Sequence, residues 1–444
     1  MCNVRPFCGL RYNLQLVPDP SAVITPPYDV ISPEERTSYY RISPYNIIRL
    51  EFGEERPGDS PDNNKYTRAA ATLNDWLRDG ILIRDKKPAL YIVEHRFLHH
   101  DTEKSRWGLV CRVQLEDYEN GQIRPHEQTT EEPAVDRLNL LRTCQVNISP
   151  IIGLVRSEEG EMTALLRGLS GEEPDMSTTG NNETKCHLRI VTDQSAIDEV
   201  SRLLADKVIY IADGHHRYET ALRYRKERCS SHPSCTGDEP FNFVMISLID
   251  SQDPGLVMSP THRLVQGLES HTLVQLKEKL SPYFETEDLL PPLSTLSETI
   301  QSWLHTLETS GEQGVALGLY GLDEQKLCLL KLRQNANLPR VMDTEERRLW
   351  GDSDVVLLQR IVFQEVLGID TRDKEAAHLK YMRGAPEAAS KVDSGEYQLA
   401  FFLNPAPLSS IFHTADAGRR LPQKSTYFHP KTPAGLVMNP VWDE

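Results

Sequence analysis

A chain of 444 residues is too long for one ordinary hydrophobic core, so two or three domains are expected. Hydrophobic residues make up 39% and charged residues 26%, a globular balance that excludes a wholly disordered chain. The formal net charge of −16 repels nucleic-acid phosphates and argues against DNA binding, while leaving room for a local basic pocket that holds a nucleotide.

The opening MCNVRPFCGLRYN lacks the apolar run of a signal peptide, and no stretch approaches the roughly 20 apolar residues of a membrane span. A cytoplasmic protein without membrane partners is expected. Ile24–Ser32 (ITPPYDVIS) enters through a stiff Pro26-Pro27, and Ser32-Pro33-Glu34-Glu35 has the chemistry of a helix start. Glu54–Lys65 reads as a surface loop and Lys65–Arg78 as a helix with Ala69, Ala70, Leu73 and Leu77 on one side, ended by Gly80. Ala89–Phe97, Arg106–Leu115 and Ile151–Val155 read as strands. Glu158–Lys185, rich in Gly, Ser, Thr and Glu, reads as a mobile insertion. A strand at Leu188–Val191 and a helix at Asp193–Ala205 precede the strand Lys207–Ala212 and the helix His216–Glu227. Arg228–Glu239 reads as a loop, and Phe241–Ile249 as a buried strand. Beyond Leu268 come helices at Leu273–Leu280 and Leu296–Leu307 and a hairpin turning at Gly321–Asp323. A helix at Val355–Leu367 and a strand at Gln398–Leu403 follow. The cysteines at 2, 8, 111, 144, 186, 229, 235 and 328 form no CxxC pair, which suits reduced thiols and gives no zinc pattern.

Five places could carry chemistry. In Lys207–Thr220 (KVIYIADGHHRYET) an apolar strand runs through Gly214 straight into a helix. The amides of His215, His216 and Arg217 then sit at a helix N-terminus, where free donors and the dipole attract phosphate oxygens, and Arg217 adds a forked cation. Asp213 can hold Mg²⁺ or a substrate ammonium. Two other readings stay open: Asp213 as a helix cap with incidental histidines, and His215 and His216 as metal ligands. In Ile123–Gln128 (IRPHEQ), His126 and Glu127 follow a rigid Pro125, and a carboxylate there can accept a hydroxyl proton or be an ordinary loop acid. In Gln423–Lys431 (QKSTYFHPK), Lys424 and Lys431 can neutralise phosphate and Ser425 and Thr426 can donate to it; a sheet-pairing strand is the alternative. Thr261, His262 and Arg263 follow a short strand, and Tyr28 and Asp29 could face a cleft or only connect two elements. GxxxxGK[ST], GxGxxG after a strand, HExxH and GxSxG are all missing.

The ordered set ITPPYDVIS, YNIIRLEFG, IRPHEQTT, DRLNLLRTCQVNISPI, YIADGHHRYETAL, DPGLVMSPTHRLV and QKSTYFHPKTPAGLVMNP resembles the bacterial and archaeal family called domain of unknown function 1015, from about Arg11 to Pro440. Parts of it resemble the free L-serine kinases, which phosphorylate the serine hydroxyl from ADP or ATP on a ParB/sulfiredoxin-like domain. That resemblance implies a catalytic role for Glu127 and a substrate- and phosphate-binding role for Asp213 to Arg217. It matches their C-terminal Pro-Lys-Thr-Thr-like segment to Gln423–Thr426 and their Asn-Pro to Asn439-Pro440. The first hundred residues and the Glu158–Lys185 insertion have no counterpart there.

The expectation is a mixed α/β (α+β) protein. Residues 1–104 form an N-terminal region, 105–267 a ParB/sulfiredoxin-like core and 268–444 a C-terminal region, whose segment 423–440 returns to the site. The function expected is a small-molecule kinase using Mg²⁺ with ATP or ADP. Glu127 is its base. Gly214, His215, His216, Arg217, Lys424, Ser425 and Thr426 lie on phosphate, and Asp213, His126, Tyr28, Asp29, Thr261, His262 and Arg263 on substrate. The alternatives are a ParB-like nucleotide-binding regulator and a metal-dependent hydrolase using His215, His216 and His262.

Overall fold

The computed structural model describes residues 3–180, 183–231, 235–291, 295–322, 326–336, 338 and 342–442. Cys2 and the hairpin tip at Asp323 therefore lie outside the described residues. The fold is mixed α/β, and the chain divides into two units.

The first unit gathers residues 1–125, 129–257 and 428–444. Its nine-stranded sheet runs in the order Ile123–Pro125, Ile209–Asp213, Ile151–Val155, Phe243–Asp250, Thr102–Gln114, Leu90–His99, Lys185–Val191, Met176–Thr179, with Val4–Arg5 pairing beside Thr102–Gln114. Two pairings are parallel, Ile209–Asp213 with Ile123–Pro125 and Phe243–Asp250 with Ile151–Val155; the others are antiparallel. Phe243–Asp250 is buried along its whole length, as an apolar strand covered on both faces must be. Helices form where the sequence caps them. Ser32 and Glu35 make a capping box before Pro33–Ile42, and Asn64 and Thr67 make another before Lys65–Arg78. The second helix buries Ala69, Leu73 and Trp76 at helical spacing.

The structure departs from two expectations. Glu158–Lys185 is not a structureless insertion: it carries the helix Glu161–Leu169 and the strand Met176–Thr179. Its polar composition hides two apolar faces. Met162 and Leu166 enter the core one turn apart, and Met176 and Thr178 point inward while Ser177 and Thr179 face solvent. The thiols are not all reduced: Cys229 and Cys235 are joined in a disulfide, six residues apart with Cα atoms 5.4 Å apart, within bridging range. Cys144 and Cys186 remain thiols, and burial pushes each up to about 12.

The second unit gathers residues 126–128 and 258–427. Its six-stranded antiparallel sheet runs Phe284–Leu289, Leu327–Leu332, Ala316–Tyr320, Leu399–Phe402, His262–Val265, Leu379–Met382. Helices including Ser270–Leu280, Leu296–Gly311 and Ala385–Asp393 pack their apolar stripes on it. The helix expected at Val355–Leu367 begins as Asp354–Leu357 and continues as a wider π-type coil over Leu358–Val366. Among the described residues, no helix is long and apolar enough to cross a membrane.

Candidate functional site

In the first unit, the strand Ile209–Asp213 reaches the helix His215–Ser231 through Gly214 alone. A turn that tight needs φ = +87° at Gly214, a region that a side chain makes costly. The first backbone bond of the helix runs from Tyr218 N–H to the Gly214 carbonyl, 3.0 Å, so the amides of His215, His216 and Arg217 are its N-terminal donors.

Charges gather on this turn. Asp213 lies between two cations of its own unit: Lys431 Nζ donates to its Oδ1, and Arg217 Nη2 donates to its Oδ2 at 2.8 Å. All three side chains are at most 12% exposed, so these ion pairs are poorly screened. Arg217 Nη1 also donates to Ser149 Oγ, 3.0 Å, and to the Pro150 carbonyl, 2.6 Å. Burial alone would lower the pKa of Arg217; the negative charges of Asp213, Asp29 and Glu51 outweigh it and hold the pKa raised.

Behind Arg217 stands Glu51, 2% exposed. It accepts from Ser149 Oγ at 2.7 Å and from Tyr28 N–H at 3.4 Å. Burial pushes its carboxyl upward, against the pull of Arg137 and Arg217. Arg137 lies 3.9 Å over the Tyr28 ring and donates to the Glu51 carbonyl. Glu51, Arg137, Ser149 and Arg217 line a cavity of about 50 Å³. On the other side of the turn, His216 Nε2 accepts the Thr130 N–H at 2.9 Å, which leaves that nitrogen unprotonated, and His215 is buried.

The second unit holds a separate cluster. His126, fully buried, shares a 3.0 Å hydrogen bond between Nε2 and Thr426 Oγ1. Glu127 bridges to Leu421, and its charge acts on Arg263 and Tyr381. Arg263 is buried and donates to the carbonyls of Thr261 and Lys424; burial pulls its pKa down to about 10, against the charges of Tyr381 and Glu127. Ser425 donates to the Pro422 carbonyl at 2.6 Å, and Lys424 is exposed with φ = +58°. Thr261 and His262 are buried. His262 Nδ1 accepts the Leu403 N–H, its ring meets Phe402 edge-on at 5.2 Å, and burial drops its pKa to about 3. Such a ring is a core residue that stays neutral near neutral pH and cannot serve as a general acid there.

The predicted residues thus fall into two groups. Asp213, Gly214, His215, His216 and Arg217 share one turn, with Tyr28 and Asp29 close enough to act on Arg217. His126, Glu127, Arg263, Lys424, Ser425 and Thr426 belong to the other unit. Glu51, Ser149 and Arg137 were not singled out by sequence. Each lies inside a conspicuous motif (YNIIRLEFG, NISPI, DRLNLLR), but their partners are 68 to 98 residues away along the chain.

Asp213 does not fit a metal ligand. Both its oxygens are taken by cations, and among the described residues no group of three His, Cys, Asp or Glu side chains could hold an ion.

A family model described as "Protein of unknown function (DUF1015)" matches residues 4–355. Among solved structures, a free serine kinase in complex with AMP is 12% identical, covering 69% of this chain and 84% of that one at a TM-score of 0.34. A conserved hypothetical protein from Pyrococcus furiosus is 14% identical, covering 71% and 90% at 0.35. SbnI with a C-terminal truncation, from Staphylococcus aureus, is 11% identical, covering 73% and 84% at 0.34. No curated protein matches the chain.

Proposed function

We propose that this chain, which belongs to the DUF1015 family of proteins of unknown function, is a phosphotransferase that moves a phosphoryl group from a nucleotide to the hydroxyl of a small molecule, with free L-serine the first acceptor to test. The observation that carries the reading is the glycine turn at Asp213–Arg217, a helix N-terminus braced by the Lys431–Asp213–Arg217 ion pairs. Helix amides with nearby cations suit phosphate oxygens, and a pre-set charge array costs no rearrangement when charge builds up in the transition state. In this reading the His215, His216 and Arg217 amides and Lys431 receive the donor phosphate. Asp213 keeps the two cations in place. Arg217, fastened to Ser149 and Pro150, shapes the turn.

The second role falls to Glu127. As the acceptor oxygen bonds to phosphorus and the donor P–O bond breaks, the hydroxyl proton passes to the Glu127 carboxylate. His126 and Thr426, bonded to each other, and Arg263 fix the surroundings of that carboxylate. Serine as acceptor rests on the resemblance of IRPHEQ and ADGHHR to motifs of the free L-serine kinases.

The test is incubation with the magnesium salt of ATP or ADP and L-serine, reading O-phosphoserine by mass spectrometry. Wild type should form product, and Glu127→Ala should lose about 100-fold or more, the usual worth of a positioned base. A folded Glu127→Ala with unchanged turnover removes the proposed base. No product from any donor paired with serine or a panel of small hydroxy compounds removes the kinase.

A further inference from the structure

Three sequence motifs that supply no reacting group, ITPPYDVIS, YNIIRLEFG and DRLNLLRTCQVNISPI, meet at one buried carboxylate. Glu51 Oε1 accepts from Ser149 Oγ at 2.7 Å and from the Tyr28 N–H at 3.4 Å, and Arg137 holds the backbone of Glu51 through its carbonyl at 2.8 Å. A carboxylate in the interior is costly, and an apolar side chain of similar size packs as well or better. Packing alone therefore does not account for an acid at this position.

The bonds around Glu51 have a fixed direction. Arginine only donates, so Ser149 Oγ accepts from Arg217 Nη1 at 3.0 Å, and the single serine proton is turned to Glu51. Arg217 in turn donates to Asp213 through Nη2, and Asp213 also accepts from Lys431. One chain of hydrogen bonds thus runs Glu51–Ser149–Arg217–Asp213–Lys431, all within the first unit. Its middle member also supports the turn. A Cβ at Gly214 would stand 2.9 Å from Arg217 Nε, 3.0 Å from Nη2 and 3.1 Å from Cζ, so the guanidinium lies against the bare Cα of the glycine.

We propose that Glu51 is a positioning residue for the phosphate turn: by accepting the Ser149 hydroxyl it turns the serine lone pairs to Arg217, and so holds the guanidinium against Gly214 and the His215–Arg217 amides in their direction. Without Glu51 the Ser149 hydroxyl rotates freely, and the guanidinium gains room to tilt beneath the turn. Glu51 touches no phosphate; its effect reaches the ligand through two other side chains. The role rests on the reading of this turn as the seat of the donor phosphate.

The test is calorimetric titration of the whole chain with the magnesium salt of ATP. Saturable binding is expected in wild type. Glu51→Ala and Ser149→Ala should each weaken it about tenfold or more, as losing a hydrogen bond to a charged group does. The double variant should bind no more weakly than the weaker single one, because the two residues act in series. Circular dichroism checks that the variants fold; if Glu51→Ala does not, Ser149→Ala alone carries the expectation. Wild type that binds no ATP removes the phosphate reading of the turn and this role with it. Wild type that binds, with folded single variants that bind equally well, removes the role of Glu51 and leaves the phosphate turn standing. Losses that add in the double variant overturn the route through Ser149, since two independent structural defects would add.

Discussion

Lys424 and Lys431 stand in one short segment, yet the structure gives them opposite settings. Lys424 is exposed, while Lys431 is 5% exposed at its side chain and pairs with Asp213. Charge and composition alone treat the two alike; only the path of the backbone separates them. Lys431→Met leaves Asp213 with Arg217 as its one remaining partner of the two, and breaking a mostly buried pair costs about 3 kcal/mol. Urea unfolding should show that loss, together with a fall in any phosphoryl transfer. Lys424→Met should stay within about 0.5 kcal/mol of wild type, as surface changes do. Equal effects from both substitutions would contradict the placement. The same distance problem hid Glu51. An acid in YNIIRLEFG carries no mark of burial, and its partner Ser149 is 98 residues further on.

Among elements, the most legible were those whose ends and faces are written locally. Lys65–Arg78 has its cap at Asn64 and its apolar stripe, so sequence and structure agree to the residue. Phe243–Asp250 was legible from apolar, β-branched content, with its start displaced by two residues because Pro240–Asn242 forms a short 3-10 turn first. Glu161–Leu169 and Met176–Thr179 were not legible, because short elements with one buried face in a polar stretch look like loops. The strand His262–Val265 shows a third case. Polar residues following a short strand suggested a site; in the structure His262 and Arg263 instead open this next strand, and all four of its side chains are buried in the second unit. That burial has a pH signature. His262 titrates near 3 in the fold against an ordinary value of 6.5, so the unfolded chain binds the extra proton between those limits. Its contribution to stability is therefore complete above pH 6.5 and drains away as pH falls towards 3. Replacing His262 with Phe should flatten that part of the stability–pH curve; an unchanged slope in urea titrations from pH 7 to 4 would mean the ring is not buried neutral.

At the scale of the molecule, the first unit is discontinuous: residues 258–427 are threaded between its main body and residues 428–442. The returning segment is no appendage. Ala434, Leu436, Val437 and Met438 lie in the same core as Phe7, Trp76 and Tyr91, and Asn439-Pro440 pairs with Val146-Asn147. Four buried apolar side chains at about 1 to 3 kcal/mol each amount to most of the stability of an ordinary domain. A chain ending at Tyr427 should therefore fail to give a cooperatively folded first unit, seen as loss of its near-ultraviolet circular dichroism and a flattened urea transition. A truncated chain that unfolds as sharply as the whole one would refute this.

That threading also sets a schedule. On the ribosome, Asp213 and Arg217 emerge long before Lys431, and the whole second unit is translated in between. The turn exists for that interval with one of its two cations missing and with an apolar groove uncovered where Leu436 to Met438 will lie. Domains that are contiguous in sequence can close as they leave the tunnel; this one cannot. A message cut short within the second unit yields a polypeptide that holds every residue of the Asp213–Arg217 turn and still lacks Lys431.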